Sequence, residues 1–431
     1  MKYYNVSDKS DVVDLRDAVL GCPTTRKVLY MPFELPDLSH LPGSINNPPG
    51  FCEIALAASQ AMFKGDVPES CIEEIVNNAF TFEVPLVSID KNIFVLELFH
   101  GPTLAFKDFG ARFMSGLFRY LNRGESKKLT ILVATSGDTG GAVADAFSGS
   151  DGIDVVILYP SGGVSPLQEK QLTTHGGNVS AIEVSGTFDD CQSLARQSFA
   201  DPDLGLRMRL VSANSINFAR LFPQSFYYMY ASSFLKSRRR PLTISVPSGN
   251  FGNLTAGLMA YKMGTDIQKF VAACNSNRSV VDYLETGVFN PAPTIKTVSN
   301  AMDVGNPGNF PRMLNIFNND LEAMKRIVHG YSCTDDETLE AMRELESVHG
   351  YLSDPHGAVA YRGLKEYLDD SFDGVYLATA HPSKFPDVLS AAGCSKPVIP
   401  GELAAIVGKP GRSIRLPVSF NLLKEYLLSR N

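Results

Sequence analysis

The feature that most constrains the fold is a series of short apolar segments from about residue 92 onward. Several are rich in valine and isoleucine without polar alternation, which is typical of parallel strands buried on both faces of a sheet. Glycine-rich turns and helical patterns follow most of them, so the sequence predicts an α/β fold with open, mainly parallel sheets. The predicted strands are 93–98, 129–134, 155–159, 181–184, 242–246, 270–273 and 375–379.

Residues 1–91 have a different pattern, with proline-bearing turns and helical periodicity over 53–63 and 71–80. A chain of 431 residues is too long for one simple core. We therefore predict a mainly helical N-terminal region over 1–91 and an α/β region over 92–431. The second region is expected to hold two subdomains, the smaller at roughly 112–210 and the larger in the remainder.

Composition excludes several classes of function. The formal net charge of −7 argues against a nucleic-acid partner. The chain shows neither a basic leader with an apolar run nor the roughly 18–20 apolar residues that span a bilayer, so we expect a cytoplasmic protein without a membrane anchor. Seven scattered cysteines without a CxxC pair, and histidines without HExxH, indicate no disulfide framework and no metal site.

Lys107 is the first candidate for chemistry, because the eleven residues before it contain no other lysine or arginine. A lysine amine is a nucleophile only when it is deprotonated, and apolar surroundings lower its pKa. Phe99, Leu104, Phe106 and Phe109 could provide such surroundings. Taken alone, the segment also fits a lysine at a helix start that pairs with Asp108.

Two strand-to-helix loops suit an anion. Segment 248–253, Ser-Gly-Asn-Phe-Gly-Asn, places glycines at a helix start, where backbone N–H groups and the helix dipole favour a phosphate. It has neither a Walker lysine nor GxGxxG, and an ordinary glycine turn is the alternative. Segment 135–141 repeats the design and could bind a carboxylate or a phosphate, although Asp138 would repel an anion unless it faces a cation or a phenolic hydroxyl.

Seven segments of the chain, in order, resemble the threonine synthase family of the bacterial and fungal long-chain type. The match runs to about residue 390 and implies a fold-type-II enzyme dependent on pyridoxal 5′-phosphate, with the cofactor in the cleft between two α/β domains. The segments are LFHGPTLAFKDFG (98–110), TSGDTGGAVADAF (135–147), ILYPSGGVSPLQEKQL (157–172), SANSINFARLFPQ (212–224), VPSGNFGNLTAGL (246–258), SNAMDVGNP (299–307) and ATAHPSKF (378–385).

The resemblance also implies roles for single residues. Lys107 resembles the lysine that forms the Schiff base with the cofactor. Thr379 corresponds to the hydroxyl at the pyridine nitrogen, and Asp138 to a residue beside the 3′-oxygen. The phosphate cradle would be formed by Gly249, Asn250, Phe251, Gly252 and Asn253. The α-carboxylate of the substrate would be held by Ser136, Gly137 and Thr139.

The substrate phosphate needs cations or donors of its own. We assign it to Asn214, Ser215, Asn217 and Arg220. Further candidates are Arg112, Lys170, Lys296 and Lys384, and a structural ion pair is the alternative for each cation. Pro223 should kink or end the helix that follows Arg220.

The implied reaction converts O-phospho-L-homoserine and water to L-threonine and phosphate, the last step of threonine biosynthesis. The lysine amine would act as a base at Cα and then Cβ. A serine or threonine dehydratase would share the lysine, cradle and fold, and a non-catalytic homologue would keep cofactor binding alone. The absence of GxGxxG disfavours a nicotinamide dehydrogenase. The sequence leaves open whether the protein is a monomer or a homodimer.

Overall fold

The computed structural model describes residues 1–21, 28–41 and 48–430. Its strands are β1 Tyr3–Asn5, β2 Asp8–Val13, β3 Tyr30–Pro32, β4 Leu86–Ser88, β5 Ile93–Glu97, β6 Leu129–Ala134, β7 Ile153–Pro160, β8 Val179–Val184, β9 Arg209–Ser212, β10 Leu242–Pro247, β11 Lys269–Cys274, β12 Val328–Ser332, β13 Asp373–Ala378 and β14 Ser413–Leu416.

The α-helices lie mostly between the strands. They are α1 Leu15–Leu20, α2 Phe51–Met62, α3 Glu69–Ala79, α4 Lys107–Leu121, α5 Asp138–Phe147, α6 Pro166–Thr173, α7 Phe188–Ala200, α8 Pro202–Arg207, α9 Phe218–Leu221, α10 Ser225–Leu235, α11 Gly252–Lys262, α12 Ser279–Thr286, α13 Phe310–Ile316, α14 Leu321–Lys325, α15 Asp335–His349, α16 Pro355–Tyr367, α17 Pro386–Ala392, α18 Gly401–Val407 and α19 Phe420–Ser429.

The described chain forms two compact units, each built from separate segments. The first contains Met1–Phe33, Lys107–Arg220 and Ile399–Asn431, and the second contains Glu34–Phe106 and Leu221–Val398. The division into residues 1–91 and 92–431 stays a prediction.

The second unit contains a six-stranded sheet in the order β12-β11-β10-β13-β5-β4. All neighbours are parallel except β4, which pairs antiparallel with β5. Every residue of β10 and β13 is buried, because strands inside a parallel sheet are covered on both faces. The carboxyl ends of β10, β13 and β5 therefore lie side by side at one edge of this sheet.

The first unit contains a five-stranded parallel sheet in the order β14-β8-β7-β6-β9. Its strands β6 and β7 are buried along their whole length. A small antiparallel sheet, β2-β1-β3, stands at the start of the chain. The carboxyl ends of β6 and β9 are neighbours, as required for two loops to cooperate.

All seven predicted strands are present, with ends that differ by two residues at most. The helices predicted over 53–63 and 71–80 are α2 and α3. The small antiparallel sheet and strands β4, β9, β12 and β14 were not predicted. Their sequences are short, and β12 includes a histidine and a glycine while β14 is mostly exposed, so neither shows the uninterrupted apolar run of a central strand.

Cys22 lies outside the described residues, and the other six cysteines are free thiols. Within the described ranges, none of the helices has the length and apolar character required to cross a membrane.

The core of the first unit provides a matched test of burial. Leu210 on β9 is 1% exposed and belongs to the cluster that includes Leu132 and Val156, whereas Leu206 on α8 is 80% exposed. We expect Leu210→Ala to destabilise the protein by about 2–5 kcal/mol, because it removes buried methyl groups and leaves a cavity. Leu206→Ala should change stability by no more than about 0.5 kcal/mol. Urea denaturation followed by circular dichroism measures both, and equal losses would contradict this packing.

Candidate active site

Three candidate segments meet at the carboxyl edge of the six-stranded sheet. The cradle segment 248–253 follows β10, and Thr379 directly follows β13, the neighbour of β10. Segment 98–106 follows β5, on the other side of β13, and leads to Lys107. In open α/β sheets ligands bind beyond the carboxyl ends of the strands. The second unit therefore gathers a phosphate loop, a buried hydroxyl and the approach to the lysine at one place.

The chain just before Lys107 is pinned to the end of β13. The Phe106 N–H donates to the Thr379 carbonyl oxygen at 2.9 Å, and the His381 N–H donates to the Leu104 carbonyl oxygen at 3.1 Å. Leu104 has a left-handed backbone, with φ of 56°, which turns the chain into this pairing. Lys107 is the next residue after Phe106 and begins α4.

The cradle itself is a sharp turn at a helix start. Phe251 has a left-handed backbone with φ of 59°, and α11 begins at Gly252 without a side-chain cap. Gly249 is required by close packing, since a Cβ there would lie 2.6 Å from Met302 Cα. A helix N-terminus with unbonded backbone N–H groups is a binding site for a phosphate.

A segment that is distant in sequence, residues 308–312, holds the cradle loop through hydrogen bonds. The Gly308 N–H donates to Asn250 Oδ1 at 2.5 Å, and Asn309 donates to the Asn250 carbonyl oxygen through its N–H and its Nδ2, at 3.3 and 3.2 Å. Arg312 Nη1 in turn donates to Asn309 Oδ1 at 2.8 Å. Burial lowers the pKa of Arg312 to about 9. The motif at 299–307 thus leads into a support for the cradle loop.

Asn253 provides the test of whether this site fits a phosphate-bearing cofactor. Its Nδ2 is buried and finds no acceptor among the described residues. A buried amide donor without a partner is unfavourable by about 1–3 kcal/mol, so such groups are rare in native proteins. A phosphate at the start of α11 would supply the acceptor. The residues present fit pyridoxal 5′-phosphate.

In the first unit, Thr135 organises the other candidate anion-binding loop. Its Oγ1 accepts hydrogen bonds from the N–H groups of Gly137 at 3.0 Å and Gly140 at 2.8 Å. Gly137 has φ of 129°, which only glycine adopts readily. Ser136 and Thr139 stand half-buried beside it. Sequence analysis did not single out Thr135, although a hydroxyl two residues before a glycine is a known turn signal.

Asp138 is buried, and its Oδ1 accepts a hydrogen bond from Gln168 Nε2 at 2.9 Å. Gln168 also closes the capping box of α6 with Ser165. A neutral amide donor, a residue type that the sequence analysis had not considered, therefore holds this carboxylate in position.

The two asparagines predicted to bind the substrate phosphate also donate hydrogen bonds to backbone carbonyl oxygens. Asn214 Nδ2 donates to the Ala134 carbonyl oxygen at 3.1 Å, which ties the ends of β9 and β6 together. Asn217 Nδ2 donates to the carbonyl oxygens of Val19 and Ser212, and its Oδ1 accepts from the Ala219 N–H. Ser215 is half-buried in the same loop.

Arg220 is buried against α4. Its Nη1 donates to the Ala213 carbonyl oxygen at 2.6 Å. The backbone of Arg220 packs closely on α4, since a Cβ at Gly110 would lie 2.6 Å from the Arg220 carbonyl oxygen. Burial lowers its pKa to about 10, and the charge of Asp108 acts in the opposite direction, so the guanidinium stays charged at neutral pH. The effect expected of Pro223 is confirmed, because a 3-10 turn over Phe222–Gln224 separates α9 from α10.

The remaining cations have different surroundings. Arg112 forms an ion pair with Asp145 at 3.7 Å, and Lys170 Nζ donates to the Lys409 carbonyl oxygen at 2.6 Å. Lys384 is fully buried and donates to the Thr103 carbonyl oxygen at 2.7 Å, whereas Lys296 is exposed.

Two models of known protein families match most of the chain. The family model described as "Pyridoxal-phosphate dependent enzyme" matches residues 81–376, and that described as "Threonine synthase, C-terminal" matches 357–427. The chain is 42% identical to threonine synthase of Escherichia coli (strain K12) over 431 residues, which cover 100% of both chains. This chain belongs to the threonine synthase family.

Solved structures of threonine synthases superpose closely on it. The Escherichia coli enzyme gives a TM-score of 0.93 at 41% identity, covering 100% of each chain. The pyridoxal-phosphate-bound enzyme from Brucella melitensis gives 0.93 at 34%, covering 100% of this chain and 99% of that one. The yeast enzyme gives 0.90 at 29%, with the same coverage. The predicted fold class and cofactor are confirmed, and the individual site residues stay predictions.

Gly137 allows a test of the loop in the first unit. A Cβ at Gly137 would lie 2.5 Å from Gln168 Cδ, so Gly137→Ala should displace the Gln168 amide as well as strain the backbone. Gly149, with φ of 70° and open space around it, is the control. We expect thermal denaturation to show a clearly larger loss for Gly137→Ala than for Gly149→Ala. Similar losses would show that the amide contact is unimportant.

Proposed function

We propose that the chain converts O-phospho-L-homoserine and water to L-threonine and phosphate, as a carbon–oxygen lyase dependent on pyridoxal phosphate. The observation that carries the proposal is full-length similarity: 42% identity over 431 residues to an entire threonine synthase. The second support is local. Lys107, segment 249–253 and Thr379 are the residues that the resemblance implies for the cofactor, and the last two lie at one sheet edge.

Lys107 would hold the cofactor covalently, and Gly249, Asn250, Phe251, Gly252 and Asn253 would bind its phosphate. Thr379, which is 6% exposed, would meet the pyridine nitrogen, and Asp138 the 3′-oxygen. Bound pyridoxal phosphate supplies an electron sink for the negative charge that develops on the substrate's amine-bearing carbon when its proton is removed. A neutral hydroxyl at the ring nitrogen does not enforce its protonation as an aspartate would, which suits elimination and replacement.

The Lys107 amine is the base in this proposal. Nζ would take a proton from Cα of the substrate and then one from Cβ, and phosphate would leave from Cγ. One proton would return to Cγ and one to Cα, while water would add its hydroxyl at Cβ and leave its other proton with the phosphate. The hydrogen bond from Phe106 to the end of β13 supports the role, because it fixes the backbone one residue before the base. A base acts efficiently only when its position relative to the reacting atoms is held.

The loop after β6 would bind the α-carboxylate. The backbone N–H groups and hydroxyls would come from Ser136, Gly137 and Thr139. Thr135 Oγ1 fixes the turn by accepting hydrogen bonds from two of its backbone N–H groups. The loop after β9 would bind the substrate phosphate through Asn214, Ser215, Asn217 and Arg220. Arg220 supports this assignment best, since its charge is held in a buried position where attraction to an anion is weakly screened.

The partner of the protein would be this small phosphorylated amino acid, and we place the enzyme in the cytoplasm as a monomer or a homodimer. The net charge of −7 supports the expectation that nucleic acid is not a partner. Attraction of the anionic substrate would rest on local groups such as Arg220.

A phosphate-release assay with O-phospho-L-homoserine tests the function. Wild-type protein loaded with pyridoxal phosphate should release phosphate and form threonine. Lys107→Ala should reduce the rate by at least about 1000-fold, because it removes both the covalent link and the base. Lys128→Ala is the matched control, since Lys128 is surface-exposed and paired with Asp154 at 3.4 Å, and it should retain wild-type activity.

Two results would overturn the proposal. Release of ammonia from serine without release of phosphate from phosphohomoserine would indicate a dehydratase. Protein that binds pyridoxal phosphate on Lys107, detected by borohydride reduction and peptide mass spectrometry, but turns over neither substrate would indicate a binding protein.

A further inference from the structure

Two adjacent tyrosines on α10 hold the side chain of Asn253. Tyr227 OH donates to Asn253 Oδ1 at 2.6 Å, and Tyr228 OH donates to the same oxygen at 2.7 Å. Tyr228 OH also lies 3.0 Å from the carbonyl oxygen of Asn253. Both rings are fully buried. Neither tyrosine was singled out in the sequence.

These contacts determine which way the Asn253 amide faces. Distances of 2.6 and 2.7 Å are typical of O–H···O hydrogen bonds and short for N–H···O bonds, so the oxygen of the amide belongs on the side of the tyrosines. Its Nδ2 then points elsewhere and is the buried donor without an acceptor in the described part of the chain. The tyrosines thus satisfy the oxygen of the amide and leave its N–H groups available.

The two hydroxyls remain donors at all physiological pH values. Burial raises the pKa of Tyr227 and of Tyr228 well above the ordinary value. The ring of Tyr228 lies directly on α11, since a Cβ at Gly257 would be 2.7 Å from its Cε1 and Cζ. The absence of a side chain at Gly257 therefore allows Tyr228 to reach the first turn of α11.

We propose that Tyr227 and Tyr228 are positioning residues that orient the Asn253 amide so that its NH₂ group binds the cofactor phosphate. The inference rests on the proposed function, because it requires the phosphate of pyridoxal phosphate at the start of α11. A phosphate is an acceptor only. An amide turned the other way would present its oxygen and repel the phosphate, so the tyrosines decide whether Asn253 attracts or opposes the cofactor.

Binding of two cofactor forms to the apoprotein tests the proposal. The probes are pyridoxal 5′-phosphate and pyridoxal, which differ only in the phosphate, and the variants are Tyr227→Phe, Tyr228→Phe, the double variant and Asn253→Asp. Tyr230→Phe is the matched control, because Tyr230 lies on the same helix and packs against Phe51 and Phe234. Absorbance titration gives the affinities, and ³¹P NMR reports the environment of the bound phosphate.

We expect the double variant to bind pyridoxal phosphate about tenfold more weakly, equivalent to about 1.4 kcal/mol, while its affinity for pyridoxal changes less than about twofold. The ³¹P resonance should move in the double variant and stay in place in Tyr230→Phe. Asn253→Asp keeps an oxygen for the tyrosines but replaces the NH₂ donor by a second oxygen. It should therefore lower the affinity for pyridoxal phosphate more than the double variant does, and leave the affinity for pyridoxal nearly unchanged. This variant also tests the proposal if the double variant fails to fold.

Equal weakening of both probes in the double variant and in Asn253→Asp would overturn the proposal, since it would indicate a packing role alone. Unchanged affinity together with an unchanged ³¹P resonance would overturn it as well. Failure of the proposed function has a different signature: wild-type protein would not bind pyridoxal phosphate, or would bind it and release no phosphate from phosphohomoserine.

Discussion

The hydrogen bond from Phe106 to the carbonyl oxygen of Thr379 is the constraint on which the arrangement of the site depends. It joins the segment after β5 to the end of the neighbouring strand β13. The base proposed at Lys107 is the next residue, and the hydroxyl proposed for the cofactor ring is on Thr379 itself. Nine residues separate β5 from α4, and this bond fixes the last of them, together with the bond from His381 to Leu104. The backbone that leads to the lysine is therefore held at the strand end that carries the hydroxyl.

The backbone of the proposed phosphate cradle is likewise held by contacts with other segments of the chain. Its backbone shape depends on a left-handed Phe251 and on Gly249 packed against Met302, and its loop is held by Gly308 and Asn309. Gly308 and Asn309 lie 58 and 59 residues after Asn250 in the chain, so neither could be found from the loop itself. They fix backbone N–H groups in place before a ligand binds, and that preorganisation is what makes a helix N-terminus an effective anion site.

Buried polar side chains have a common role in both units. Thr135 holds the loop after β6, and Tyr227 and Tyr228 on α10 hold Asn253. Each uses its hydrogen-bonding groups on neighbouring protein atoms, so rotation of the side chain would leave a buried group unsatisfied. These supporting polar side chains therefore fix the orientation of the proposed ligand-binding residues, and they need not contact the substrate themselves.

The sequence by itself determined the α/β class and the seven main strands, because buried parallel strands leave uninterrupted valine and isoleucine runs. The cofactor followed from the resemblance of seven segments to a known family, since the glycine loop taken alone also fits an ordinary turn. The sequence also indicated the residues that we propose at the site, through motifs that are local in the chain. Only the tertiary structure decided the supports: the bond from Phe106 to Thr379, the Gln168 amide beside Asp138, and the tyrosine pair that orients Asn253. In the sequence Ser-Phe-Tyr-Tyr-Met-Tyr, nothing distinguishes Tyr227 and Tyr228 from ordinary helix residues. Their role depends on contacts with a residue 25 positions or more away, and such contacts leave no local signal in the sequence.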